Sequence, residues 1–318
     1  MNEEVLLRLP HRQFVFTFPK ALRVFFRHDR KLFAKISKMI FAMISDFYRE
    51  VAGKELRTGM VIAHQTFGDM LRWNPHYHAI LLEGGFDAEG TFFYLPFSGL
   101  EKMTEYFRRI VLRYFAGKKL LTEQFARNLL SWKHSGFSPD AWPSSERSER
   151  PGIDNSVRIL DERSREDLAQ YMARPPISLK KIHYEGFKGR VLFHTHYNKY
   201  FKENVHMFEA CDFLAELTQH IPPKGVQLIR RYGLYSSRTK GAWESMPHWR
   251  DRSSLRCGTT LELQNVLLPA GKFSTRTNLE LRSLEISGLT KMRTFQRTHL
   301  MHALTRKHGR VCSLKSTR

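Results

Sequence analysis

Three features of this 318-residue chain predict an α+β fold with a central antiparallel sheet flanked by helices. Strand-like runs, aromatic, β-branched or continuously apolar, stand at Gln13–Phe18, Gly59–Asp69 and Ala79–Phe86. Few residues separate the second run from Asn74, which opens the histidine strand leading into the third, and this suits a hairpin. Between the first two runs, apolar residues such as Leu22, Phe26, Ile36, Ile40 and Ile44 recur at helical spacing, interleaved with Arg and Lys. A chain of this length buries a substantial core as one large or two ordinary domains.

In chain order, Gln13–Phe18 is stopped by Pro19 and is expected in the same sheet as the later runs. Residues 21–51 form one long or two short amphipathic helices. Phe92–Phe97 is a short strand or loop. Ser98 caps a helix running to about Phe115 and closed by Gly117, and a further helix covers about Thr122–Trp132. Ser138–Asn155, rich in Pro, Ser, Glu and Arg, reads as an exposed loop. Asp161–Arg174 is helix-forming and must stop at Pro175-Pro176. Ser178–Tyr184 and Gly189–His194 read as two strands able to extend the sheet, with a turn following His194. A helix then covers about Phe208–Ile221.

Charge narrows the partners. Lys plus Arg number 52 against 31 Asp plus Glu, a net of +21, with a pI near 10.1. Such an excess attracts polyanions through counterion release, so nucleic acid ranks first as a partner. No apolar run has membrane-spanning length, and the acidic start Met1-Asn2-Glu3-Glu4 is unlike a signal peptide, so no membrane contact and a cytoplasmic location are expected. Cys211, Cys257 and Cys312 are too few and too far apart for a disulfide framework or a Cys-x-x-Cys zinc site. From Arg252 to Arg318 there are 13 Lys or Arg against 3 acidic residues and few aromatics, the composition of a basic, poorly ordered tail.

The chemistry centres on Asn74-Pro75-His76-Tyr77-His78, which opens the third run. On a strand, side chains alternate faces, so His76 and His78 share one and Tyr77 takes the other. Two imidazoles side by side serve either as a hydrogen-bonded structural pair or as two ligands of a divalent cation with positions left open. His194-Thr195-His196 repeats the spacing, but its polar middle residue and surroundings argue against a second metal pair. Tyr171 lies in the last turn before Pro175, and Tyr232 and Tyr235 are rival nucleophiles by residue type, although Gly233 suits a turn there better than a rigid helix. Arg230, Arg231, Arg238 and Lys240 read as phosphate contacts, and Lys180 and Lys181 as residues near DNA.

Gln65-Thr66-Phe67-Gly68 followed by Trp73–His78, then Trp132-x-x-Ser135-Gly136-Phe137, Tyr171-x-x-Arg174-Pro175-Pro176-x-Ser178, Leu217–Pro222 and Arg231–Ser236 together resemble one family. These are the rolling-circle insertion-sequence transposases of the His-hydrophobic-His tyrosine endonuclease superfamily. The resemblance covers roughly residues 7–240 and implies one endonuclease domain there, with 241–318 as the basic tail. It implies His76 and His78 as ligands of Mg or Mn, with Gln65 the preferred third ligand and His64, Asp69 or Glu166 open. It further implies Tyr171 as the nucleophile on single-stranded DNA at element ends and target, with Arg174 beside it at the DNA. Many members carry a second tyrosine four residues earlier, where this chain has Asp167, so a single-tyrosine mechanism is expected. The cysteine-rich N-terminal zinc module of many relatives is expected to be missing. Two other function classes remain at this point: a noncatalytic single-strand nucleic-acid-binding protein and an inactive transposase relic.

Overall fold

The computed structural model describes residues 6–7, 9–68, 71–95, 101–133, 136–137, 157–159, 172, 177–198 and 202–240. All of them belong to one compact unit, Met1–Leu268. The Ser138–Asn155 loop, Tyr171, Arg174 and the basic tail lie outside the described residues, and of the helix before Pro175 only Met172 is described, in helical conformation.

The central sheet has five strands, β1 (His11–Thr17), β2 (Gly59–Phe67), β3 (Trp73–Leu82), β6 (Val157–Ile159) and β10 (Ile229–Gly233). Their order is β10-β2-β3-β1-β6, and every pairing is antiparallel. The histidine strand β3 is thus in the middle, joined to β2 by the expected hairpin and flanked by β1 on its other side. Beyond Leu82, β4 (Gly84–Phe86) and β5 (Phe92–Tyr94) make a separate two-stranded ribbon.

One face of the central sheet is covered by helices. The basic amphipathic stretch forms two of them, α1 (Lys20–His28) and α2 (Lys31–Ala52), with Asp29 Oδ1 accepting from the Lys31 N–H at the break. α3 (Glu101–Gly117) joins them, and α4 (Glu123–Ser131), capped by the Thr122 side chain, packs behind it. Their apolar stripes meet an aromatic layer. Phe16 from β1 packs on Phe107 of α3, Phe18 on Phe26 and Phe107, and Tyr77 of β3 on Phe18 and Phe33. All six of these rings are buried, and full burial of a phenylalanine contributes about 1.5–3 kcal/mol. At the far end of the sheet Arg12 and Glu83 form a buried ion pair, with Tyr94 donating to the same carboxylate at 3.3 Å.

Two glycines are required by close approach. Gly136 sits at φ +67 against Pro19, which places Phe137 on Phe18 and Phe107. Gly233, at φ +58, ends β10 against the Thr58 carbonyl, where a side chain would collide.

The segments Ser178–Tyr184 and Gly189–His194 do not extend the central sheet. They contribute β7 (Ile182–Glu185) and β8 (Arg190–Asn198) to a second, three-stranded sheet completed by β9 (Glu203–Glu209), with Leu179–Lys181 as a short turn before it. No turn follows His194, since β8 runs on to Asn198, and the next helix, α5 (Ala210–Thr218), starts after β9 rather than at Phe208. In β9 only Phe208 is buried and the other six positions are half-buried or exposed, so its sequence shows little apolar alternation. Val191, Phe193, Phe208 and Phe213 enclose Leu71 from the β2–β3 turn, which docks the second sheet on the tip of the central hairpin. A last short helix, α6 (Ser237–Lys240), follows β10.

Candidate active site on the open face of the central sheet

Strand alternation puts His76 and His78 on the face opposite the helices. Tyr77 between them points into the aromatic layer, where its hydroxyl donates to the Phe33 carbonyl at 2.9 Å. The hydrophobic residue between the two histidines therefore anchors the strand to the helices while its neighbours are turned the other way. The histidine rings lie 4.9 Å apart, edge to face.

Register decides what surrounds them. Gln65 of β2 stands directly opposite His76, and Thr17 of β1 does so on the other side. Ala63 and Val15 flank His78. Directly opposed residues share a face, so Gln65 joins both histidines there and is itself buried. His64, one residue earlier, turns to the helix face and stacks on Phe33 at 4.1 Å. It cannot reach the histidine pair without a flip of β2. Asp69 and Glu166 lie outside the described residues.

Hydrogen bonds orient the two rings. His76 Nδ1 lies 2.7 Å from the Asn74 carbonyl, which can only accept, so Nδ1 carries the proton and Nε2 the lone pair. The Gln13 amide nitrogen lies 3.5 Å from His78 Nδ1. A half-turn of that amide presents its oxygen instead, and His78 then takes the same tautomer as His76. Burial lowers the His78 pKa to about 3, with the neighbouring His76 adding to the shift. Burial likewise lowers His76. Both imidazoles are neutral at pH 7, the state in which they bind metals. Two neutral imidazole nitrogens and one amide oxygen on a single sheet face fit a divalent cation with open positions for substrate oxygens. Among the described residues no group of three His, Cys, Asp or Glu is placed to hold a metal, and the oxygen donor that the register sets beside the two histidines is the Gln65 amide.

Met172, next to Tyr171, packs on this same face. It is buried with Val61, Ala63 and Ile80, the residues that continue the inward rows of β2 and β3 beyond Gln65 and His78. Met172 therefore lies on the histidine side of the sheet. The rival tyrosines have their hydroxyls engaged within the fold. Tyr232 stacks on Phe41 and its hydroxyl pairs with Ser37 Oγ at 2.8 Å, on the helix side. Tyr235 is fully buried, with its hydroxyl on His11 Nε2.

The basic residues divide. Arg231 lies opposite Val61, on the histidine face and exposed, whereas Arg230 lies opposite Ile62, half-buried on the helix side beside His64. Arg238 is exposed on α6, and Lys180 is exposed in the turn before β7 with Lys181 beside it half-buried. Gln13 and His220 had no assigned role in the sequence. A polar residue at an inward position of a buried strand was the available signal for Gln13. His220 is buried, accepts from the Thr66 hydroxyl through Nδ1 at 3.0 Å, donates from Nε2 to the Leu71 carbonyl at 2.8 Å and stacks on Trp73. It thereby ties both ends of the β2–β3 hairpin, one residue from Gln65 and three from His76, to the second sheet.

The central strand thus presents two histidines and an opposed glutamine on one face, with Met172 packed farther along it. Comparison with known proteins gives the family: residues 59–242, more than half of the chain, match the family model described as "Putative transposase", and the chain belongs to that family. It is similar to the transposase for insertion sequence element IS801 of Pseudomonas savastanoi pv. phaseolicola, with 26% identity over 245 residues, 74% of this chain and 56% of that protein. A second relative, "Putative transposase y4qJ" of Sinorhizobium fredii, is 24% identical over 254 residues, 73% of this chain and 60% of that protein. The chain thus spans a little over half the length of these curated relatives. No solved structure matches it. Among the described residues no helix is long and apolar enough to cross a membrane.

Proposed function

We propose that the protein is a DNA transposase that cleaves and rejoins single-stranded DNA through a covalent tyrosine intermediate, in the manner of rolling-circle transposition in the cytoplasm. The observation that carries this reading is the register that sets Gln65 beside His76 and His78 on the face where Met172 packs. His76, His78 and Gln65 would hold Mg or Mn. When bound, the cation polarises the scissile phosphate and offsets the charge that develops on it.

The chain's own residues do the rest. Tyr171, the chain neighbour of Met172, attacks phosphorus with its phenolic oxygen. The new bond joins that oxygen to the 5′-phosphate, the P–O3′ bond breaks, the phenol proton is lost and the departing 3′-oxygen is protonated. The phosphodiester energy stays in the 5′-phosphotyrosine, and reversal by another 3′-hydroxyl transfers the strand. A phenol of pKa about 10 needs a nearby positive charge to react at neutral pH, which the same site would supply. Asp167 at the position of a second tyrosine cannot replace it, because an acyl phosphate hydrolyses readily. Arg174, Arg231, Lys180 and Lys181 are the phosphate contacts of this reading, with Arg230 and Arg238 further from the histidine face or outside it.

Incubation of the protein with labelled single-stranded DNA and manganese, followed by denaturing electrophoresis, tests the proposal. A metal-dependent covalent protein–DNA band, absent from Tyr171→Phe, is expected. A protein that binds the same DNA with no covalent product on any element-end sequence would be a binding module, and one that neither binds nor cleaves would be a relic.

A further inference from the structure

The second sheet carries exposed aromatic side chains to which the site on the central sheet gives no role. The turn joining β7 to β8 reads Glu185-Gly186-Phe187-Lys188-Gly189, and Phe187 at its tip is 104% exposed. Tyr184, three residues earlier, is 58% exposed, and its ring lies beside Gly186 on the same turn. A lone exposed apolar residue is ordinary. Two aromatic rings projecting from one tight turn are different, because each forfeits the burial that the same residue types find throughout the core of this chain.

The charge around them shows what they face. From Ile177 to Asn198 there are four cationic side chains, Lys180, Lys181, Lys188 and Arg190, against Glu185 alone. Glu185 lies 3.5 Å from Lys188, and Arg190 is paired with Glu209, so Lys180 and Lys181, at the opposite end of β7, stand apart from both pairs. A four-residue strand spans about 13 Å. Aromatic faces at one end and two ammonium groups at the other match a flexible polyanion whose units each carry a π-face, and single-stranded DNA has that chemistry.

We propose that the β7–β8 turn is a second DNA contact, at which bases of single-stranded DNA outside the cleavage position stack on Phe187 and Tyr184 while Lys180 and Lys181 take the phosphates. The proposal rests on the reading of the substrate as single-stranded DNA, and it assigns the second sheet a grip on the strand that is separate from the chemistry. Leu71 and His220 fasten this lobe to the hairpin that bears Gln65 and His76, so a strand held here is held in fixed relation to the histidine face.

The test measures binding of a 30-nucleotide single strand by fluorescence anisotropy, together with emission from 2-aminopurine placed along it. Tyr184→Ala/Phe187→Ala should weaken binding about tenfold and abolish a stacking-dependent quench seen with the unaltered protein. Phe187→Trp should keep both. Lys180→Ala/Lys181→Ala should instead lower the salt dependence, by about 0.7 per lost phosphate contact. Manganese binding should be unchanged in all three variants, which also shows that they are folded. Binding by the double aromatic variant within twofold of the unaltered protein would overturn the proposal. So would unchanged DNA binding with loss of a dimer in size-exclusion chromatography, which would make the turn a protein contact. Failure of the unaltered protein to bind single-stranded DNA would sink the broader reading instead.

Discussion

The two faces of the central sheet have the same strands and the same hydrogen bonds but carry opposite chemistry. On one, Phe16, Tyr77 and His64 are packed against Phe107 and Phe33 from the helices, and the polar atoms that enter, such as the Tyr77 hydroxyl, close onto backbone carbonyls. On the other, Thr17, His76, His78 and Gln65 bring polar side chains together on one surface, and His76, His78 and Gln65 are buried there next to the cluster of Val61, Ala63, Ile80 and Met172. A residue's role on β2 or β3 is therefore set by the parity of its position. His64 and Gln65 are neighbours in the chain and belong to different halves of the molecule.

The contrast between the faces is tested most severely at the histidines. His76→Ala/His78→Ala should reduce metal-dependent cleavage at least a hundredfold and remove manganese binding measured by calorimetry, while single-strand binding stays within about twofold because the basic surface is untouched. Cleavage that persists in the double variant would show that the polar face is only a polar core.

Acid should destabilise both faces. His78 is lowered to about 3, chiefly by burial, and His64 to about 4, by burial and then by Arg230 and Arg30. Both are neutral in the folded protein and protonate in the unfolded chain near 6.5, so stability is full above 6.5 and is lost as the pH falls toward the folded values. At pH 5 each group accounts for a loss of about 2 kcal/mol, from 1.36 kcal/mol per unit. Urea denaturation without metal at pH 7.5, 6 and 5 reads this out. A midpoint flat down to pH 5 would mean that these rings are protonated in the fold.

Parity itself is tested by neighbours. Gln65→Leu should weaken manganese binding about tenfold, and His64→Leu, one residue away, should leave it unchanged. The reverse result would place the ligand on the helix face and discard the register described above. The smallest effect is expected at Tyr77→Phe, which removes the hydroxyl to Phe33: about 1 kcal/mol of stability in denaturant titration, with no change in metal affinity.

Much of this arrangement was legible in the chain. The His76-Tyr77-His78 strand, the hairpin before it and the strand at Gln13 follow from alternation and turn residues, and the helical stripe from Leu22 to Phe47 splits only where Asp29 interrupts it. The partner of His76 was not derivable by counting back from the turn, because the β2–β3 register shifts between Gln65 and Phe67. Sheet allegiance was also hidden. β7 and β8 have strand-like sequences, but whether they join the central sheet depends on Leu71 and His220, contacts distant in sequence. β9, with one buried apolar residue, and the three-residue β6 carry too little pattern to announce themselves. That Met172 is buried on the histidine face was likewise hidden, since no local pattern specifies its burial.

Everything proposed for the polar face of the sheet depends on its working with Tyr171. Trapping the protein on single-stranded DNA with manganese, digesting it and locating the nucleotide-bearing peptide by mass spectrometry tests this most directly. A nucleotide attached through its 5′-phosphate to Tyr171, and lost in Tyr171→Phe, is the predicted result. A nucleotide on Tyr232, whose hydroxyl faces Ser37 among the helices, or on Tyr235, buried against His11, would contradict it.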